Sequence, residues 1–339
     1  MHVLRHSFAS VAVGTGATLP MIGGILGQVR GAKRTRSCRE VVNQHNNTEV
    51  TMKLHLLGTG TPEPSLKRMS SGYLLRVGED VILFDLGPGA YHRLMEVGVA
   101  CTDVTHVFFS HLHYDHCADF VRLFLNRWDM GAGKVPPMKV YGPPGTAQFV
   151  ERLFGPEGAF ALDLTARTQH VNSINIYKSR GGVPPRLLPE TDVTEIKESD
   201  VVEGDGWRVE LANVPHFQPY LICYGFRLEA EDGVFAYSGD CGPCKAMHEL
   251  AREADVLVHM LSRIAGLDVT PEPIPDAMSH KDLAALGRDA GVKTLVASHV
   301  TARVSRDNVR QRVIAEMAEI YKGTLIWGED LMEIAIGED

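Results

Sequence analysis

The segment Ser110-His111-Leu112-His113-Tyr114-Asp115-His116 sets three imidazoles and a carboxylate within six positions, directly behind the apolar run Val107-Phe108-Phe109. Side chains alternate across a strand, so a strand ending at Ser110 puts His111 and His113 on one side, where one ion can take both. A turn into helix then sends Asp115 and His116 elsewhere, to serve a second ion close by. Imidazole and carboxylate donors without thiolates suit zinc held in an open, catalytic manner rather than in a closed structural site. A chain with this segment must fold so that a buried strand ends at a metal-lined edge.

Other segments repeat the pattern of buried strand followed by turn. They are Met52-Lys53-Leu54-His55-Leu56-Leu57-Gly58-Thr59-Gly60-Thr61-Pro62, Val81-Ile82-Leu83-Phe84-Asp85-Leu86-Gly87-Pro88-Gly89, and Val140-Tyr141-Gly142-Pro143-Pro144-Gly145-Thr146. Glycine at the first two turns lets the backbone pass close to the site. With the histidine segment, these motifs resemble the metallo-β-lactamase superfamily of hydrolases, in its ribonuclease Z and arylsulfatase-like branch, from about Met52 to the C-terminus. The resemblance implies an α/β (α+β) body, residues 52–339, folded as a four-layer αβ/βα sandwich with two zinc ions per chain at one edge.

It also implies three further ligands at strand ends. His216 lies in Val214-Pro215-His216-Phe217 before the strand Tyr224-Gly225-Phe226-Arg227-Leu228, with His170 as a rival that lacks such a strand. Asp240 closes Phe235-Ala236-Tyr237-Ser238-Gly239-Asp240, and His299 closes Thr294-Leu295-Val296-Ala297-Ser298-His299. One ion then takes His111, His113 and His216, the other Asp115, His116 and His299, and Asp240 is shared. The expected nucleophile is a water that loses its proton between the ions. Asp85 either orients a ligand histidine through its second ring nitrogen or merely caps a turn. Catalytic roles fall to Asp115 and to His280 or His259 as proton donor. His259 is followed by Met260 where the ribonuclease branch continues with a glutamate, so an acid relay there lacks its carboxylate.

The chain changes character near Met52. Residues 1–51 hold six Lys or Arg against two acidic residues, a net +4, which leaves −12 for the body out of a total of −8. The opening His2-Val3-Leu4-Arg5 resembles a C-terminal fragment of a tyrosine recombinase, but Gln28 stands where that family has a histidine and no tyrosine occurs before Tyr73, so a working recombinase is excluded. The head reads as a fusion relic, an early start or an interrupted signal peptide, followed by a polar linker. Six cysteines in 339 residues form no secreted disulfide framework, which points to the cytoplasm, with export as the alternative. Cys241-Gly242-Pro243-Cys244 has thioredoxin-type spacing but follows Asp240 directly, so redox activity and proximity to the metals are both open readings.

Residues 155–206 read as an insertion containing a loop at Arg180–Arg186, a lid or a subunit contact of a homodimer. Phe124, Trp128 and Met130 are candidate pocket walls, with helix packing the alternative for Phe124, and Leu325–Ile334 reads as one closing strand. The acidic body argues against nucleic acid, and 24 residues from His216 to Asp240 leave no room for the protruding arm of tRNA-processing relatives. The expected substrate is therefore a small molecule: an ester, lactone, sulfate or phosphate ester, or an activated aromatic dehalogenated hydrolytically, as by a chlorothalonil-type enzyme. The alternatives are a ribonuclease Z-like phosphodiesterase acting on RNA and a non-catalytic zinc-binding protein. No apolar run reaches membrane-spanning length.

Overall fold

A computed structural model describes residues 52–266 and 275–337. The expectations for the basic head lie outside the described residues. The apolar runs form two seven-stranded sheets. The first is ordered β14 (Glu333–Ile336), β1 (Met52–Gly58), β2 (Gly72–Val77), β3 (Asp80–Leu86), β4 (His106–Phe108), β5 (Lys139–Gly142) and β6 (Asp192–Glu195). The second runs β13 (Thr324–Trp327), β12 (Thr294–Ser298), β11 (Val256–Met260), β10 (Gly233–Tyr237), β9 (Tyr224–Ala230), β8 (Trp207–Asn213) and β7 (Val201–Glu203). In the first, pairing is antiparallel from β14 to β3 and parallel from β3 to β6. The second repeats this design, parallel from β13 to β10 and antiparallel from β10 to β7.

Between the sheets lies an aromatic core, in which Phe84 meets Phe108, Phe226 and Phe235 at centroid separations of 5.2, 5.5 and 5.3 Å. The central strands are apolar on both faces because helices cover their outer sides, as parallel strands require. On the first sheet these are α1 (Ala90–Glu96), α3 (Phe120–Gly131) and α4 (Thr146–Phe154), which bury Leu94, Leu123, Phe124, Val150 and Phe154. The short α2 (Tyr114–Cys117) precedes α3. On the second sheet α7 (Lys245–Leu250), α8 (His280–Asp289) and α9 (Asp307–Ile320) bury Met247, Leu283, Val313 and Met317. The result is the expected four-layer sandwich. Among the described residues no helix is long and apolar enough to cross a membrane.

One expectation about the elements needs correction. The single closing strand is two strands in different sheets, β13 and β14, because the chain turns between them at Asp330. That carboxylate accepts from the Thr59 amide and hydroxyl at 3.1 and 2.8 Å and from the Met69 amide at 2.7 Å, tying the crossing to the loop behind β1. The insertion is structured, with α5 (Ala161–Gln169), α6 (Val171–Ser179) and strands β6 and β7. Its loop is held to α3 by Asp129, which accepts from Arg180 and Arg186, each at 2.6 Å. The Arg186 guanidinium lies 3.9 Å over the Trp128 ring.

Candidate metal centre

Four donor residues come from the turn behind β4. The strand ends at Phe108, two residues earlier than the alternation suggested, because Ser110 leaves the ladder to engage Asp85. Asp85, the next to last residue of β3, has φ 57°, and its carboxylate accepts four hydrogen bonds. Its Oδ1 takes the Ser110 amide at 2.8 Å, and its Oδ2 takes the Ser110 hydroxyl at 2.7 Å, His116 Nδ1 at 2.7 Å and the Tyr237 hydroxyl at 2.6 Å. Since the Ser110 hydroxyl proton goes to Asp85, its oxygen accepts from His111 Nδ1 at 2.9 Å. Both imidazoles therefore carry their proton on Nδ1 and turn a bare Nε2 the other way. Gly87 is needed here, because any Cβ would strike the Asp115 carbonyl.

The second sheet brings the remaining three. His216 follows β8, Asp240 follows β10 and His299 follows β12. His299 takes φ 49°, and its Nδ1 donates to the Gly60 carbonyl at 2.9 Å, which turns Nε2 toward Asp240. Left-handed backbone at a non-glycine residue costs about 1–2 kcal/mol, and Asp85 near the end of β3, Phe217 beside His216 and His299 just past β12 all take it at this cluster.

The donor atoms converge as three groups, each within 4.8 Å: His111, His113 and His216; His111, His116 and Asp240; Asp115, His116 and His299. His113 Nδ1 lies 3.0 Å from His111 Nε2 and 3.3 Å from His216 Nε2. Asp240 Oδ2 lies 2.8 Å from His299 Nε2 and 3.6 Å from His216 Nε2, and Oδ1 lies 3.5 Å from His116 Nε2. Asp240 thus stands between the two sets, as a shared ligand must. Asp115 Oδ2, His116 Nε2 and Asp240 Oδ1 are buried without a hydrogen-bond partner. Orphaned buried polar atoms are costly, about 1–3 kcal/mol each, and bare nitrogens and carboxylate oxygens facing one another fit cations. The donor set, imidazole and carboxylate with no thiolate, fits zinc.

The electrostatics agree. Burial opposes ionisation of Asp240, but His299 and His116 outweigh it and hold the carboxyl well below its usual range. Burial likewise opposes a charged His116, yet Asp240 and Asp85 keep it well above the ordinary imidazole value. His299 is raised against burial by Asp240. Burial lowers His111 strongly, lowers His113, and brings His216 down to about 4.

The other candidates lie apart from these groups. His170 is the N-cap of α6, accepting from the Asn172 amide, and does not join the cluster. His259 is fully buried at the end of β11; its Nδ1 is 2.9 Å from the Met260 carbonyl, its Nε2 has no partner, and burial lowers it to about 4. His280 has both nitrogens engaged, Nδ1 with the Ala265 amide at 3.3 Å and Nε2 with Glu316 of α9 at 2.9 Å. A carboxylate partner missing beside His259 therefore exists beside His280. Phe124 is core, stacked on Phe154 at 4.3 Å, and with Trp128 it borders a cavity of about 690 Å³ lined by none of the seven cluster residues. Met130 is exposed. Ser110, Tyr237 and the Gly60 carbonyl are site residues that sequence reasoning missed. Only Ser110, next to His111, carried a local signal; Tyr237 meets Asp85 across 152 positions.

Comparison with known proteins gives the same answer. Residues 81–300 match the family model of the β-lactamase superfamily domain. A ribonuclease Z of Mycobacterium marinum is 31% identical over 292 residues, 84% of this chain and 99% of that protein. The metallo-β-lactamase fold protein YhfI of Bacillus subtilis superposes with a TM-score of 0.64 at 16% identity, covering 84% of this chain and 99% of that one. The human short-form tRNase Z gives 0.58 at 20% identity, with the same coverage. These relatives overturn the expectation of a small-molecule substrate without nucleic acid. That expectation failed because net charge sums over every face of the molecule and ignores the positive charge that bound cations bring to one cleft. Dehalogenation and detoxification gain no support. With its two mixed sheets, its converging imidazoles and carboxylates and a relative of this similarity, the chain belongs to the metallo-β-lactamase superfamily of hydrolases, whose members bind metal ions, typically zinc.

Proposed function

We propose that this chain is a phosphodiesterase acting on RNA, with two zinc ions at the edge of the sandwich. The observation that carries the reading is the pairing of the seven-residue donor cluster with a 31% identical ribonuclease Z along nearly that protein's whole length. His111, His113 and His216 would hold one ion, Asp115, His116 and His299 the other, and Asp240 both. Bound there, zinc supplies an activated water and polarises the phosphoryl oxygens.

The chain's own residues do the rest. Asp85 and the Gly60 carbonyl fix His116 and His299 in the tautomer whose Nε2 is a donor pair toward the ions. Asp115 would have a second task, taking up a proton from the attacking water besides holding the ion through Oδ2, the oxygen that faces His116 and His299. Of the two histidines proposed for the leaving group, we favour His259. It keeps one nitrogen open, and burial, which lowers it to about 4, makes it a strong acid once it is protonated. His280 spends Nε2 on Glu316 of α9 and Nδ1 on the Ala265 amide behind β11.

The test is cleavage of precursor tRNA and of an unstructured RNA by full-length, zinc-quantified protein. We expect cleavage that stops on chelation and returns with zinc. His259→Gln should lower kcat by about 10²–10⁴, the worth of a general acid, while His280→Gln should lower thermal stability with a smaller change in kcat. Zinc-loaded protein that leaves both RNAs intact would reject the reading.

A further inference from the structure

The dithiol Cys241-Gly242-Pro243-Cys244 is absorbed by neither the metal cluster nor the proposed reaction. Its two sulfurs lie 3.7 Å apart, and all five cysteines of the described residues are free. Joining them needs a separation of about 2.05 Å, a side-chain movement within one tight loop. The two thiols are unequal. Cys241 is fully buried, its Sγ against the Gly242 carbonyl at 2.8 Å, whereas Cys244 is partly exposed between exposed Pro243 and Lys245. An attacking thiol needs access and a resolving thiol needs proximity, and this pair divides those tasks. A hydrogen bond from Cys241, with help from the Met247 and Ala246 amides, outweighs burial and lowers Cys244 to about 7.

The loop is also tied to the metal cluster. Cys241 follows Asp240 in the chain, its amide donates to Met260 Sδ at 2.8 Å, and the Gly242 amide donates to the carbonyl of Pro215, beside His216, at 3.3 Å. A covalent change here acts on a loop shared with two of the donor residues.

We infer that Cys241 and Cys244 form a reversible oxidation site, in which a hydroperoxide converts the dithiol to an intraloop disulfide. The Cys244 thiolate attacks the terminal peroxide oxygen, the O–O bond breaks, and the other oxygen leaves after protonation as water from hydrogen peroxide or as an alcohol from an organic hydroperoxide, giving a sulfenic acid. The Cys241 sulfur then attacks the Cys244 sulfur. The S–S bond forms, the S–O bond breaks, and the Cys241 proton leaves with the departing hydroxide as water. Two electrons pass from the thiols to the peroxide. This step is independent of the RNA reading, because it needs neither the ions nor a substrate.

The experiment treats reduced full-length protein with hydrogen peroxide, alkylates free thiols, and maps peptides by mass spectrometry. The expected product is a peptide spanning 241–244 that is lighter by two hydrogens, takes up no alkylating agent, and regains both thiols with dithiothreitol. Cys241→Ser should stop at a sulfenic acid on Cys244, trapped by a dimedone probe. Both thiols remaining alkylatable, sulfinic acid accumulating on Cys244 of the unsubstituted protein, or Cys244 joining another cysteine would each overturn the inference. The unsubstituted protein decides the matter even if the variant fails to fold.

Discussion

The first sheet delivers His111, His113, Asp115 and His116 from one turn behind β4, whereas the second delivers His216, Asp240 and His299 from three loops, behind β8, β10 and β12. The first set is ordered locally. α2 starts at Tyr114, and Asp85 on the neighbouring strand grips Ser110 and His116 together. The second set has no such local scaffold, and its three side chains meet only because β8 to β12 are in register across the core. One sheet therefore carries a preformed half-site, and the other completes it through the fold. The two halves should respond differently when a ligand, an orienting group or the metal is removed.

The largest effect is expected at the residue joining the two halves. Asp240→Ala removes the carboxylate that lies between His116, His216 and His299. Losing the several kcal/mol that metal activation contributes lowers turnover by at least about 10³, and zinc content should fall below that of the unsubstituted chain. His116 keeps its contact with Asp85 and His299 its contact with the Gly60 carbonyl, so circular dichroism should remain native. Full turnover in this variant would show that the halves are not joined through Asp240.

A smaller effect is expected where the first half is organised. Asp85→Asn keeps the size of the side chain but offers an amide in place of one carboxylate oxygen, against donors from Ser110, His116 and Tyr237. Outer hydrogen-bond partners of metal ligands are worth about 10–100-fold in affinity, and zinc titration against a competing chelator measures this directly. If the first half is locally preformed, the loss should fall on the ion that Asp115, His116 and His299 are proposed to hold. An unchanged affinity would mean that α2 alone orients the histidines.

The same contrast explains what could be read from the residues alone. The contiguous half was legible because all its donors fall within six positions, and strand alternation followed by helix is a local rule. Of the second half, residues alone showed only that His216, Asp240 and His299 end or precede apolar runs; their convergence was supplied by a family resemblance. Asp85 was an open choice between orienting and capping until Ser110, His116 and Tyr237 were seen around it. Periodicity misread residues 325–334 as one strand, since the turn at Asp330 is fixed by Thr59 and Met69, some 260 to 270 positions away. The substrate was misjudged on net charge, a global sum that carries no information about a single cleft.

The smallest and most discriminating effect concerns the metal-free protein. Without zinc, the first half retains Asp85 and the turn of α2, while His216 retains a single backbone contact, the amide to Gln218 Oε1 at 2.6 Å, and His299 retains the Gly60 carbonyl. Local opening costs least where buried contacts and hydrogen bonds are fewest. Ligand binding at about 1,000 times the dissociation constant adds about 4 kcal/mol to stability, and chelation removes that contribution. Amide hydrogen exchange after chelation should therefore speed up most in residues 215–223, less near 299–301, and least in 110–117. Equal acceleration in all three segments would show that the turn behind β4 is no more preformed than the loops facing it, and that the zinc ions organise both halves alike.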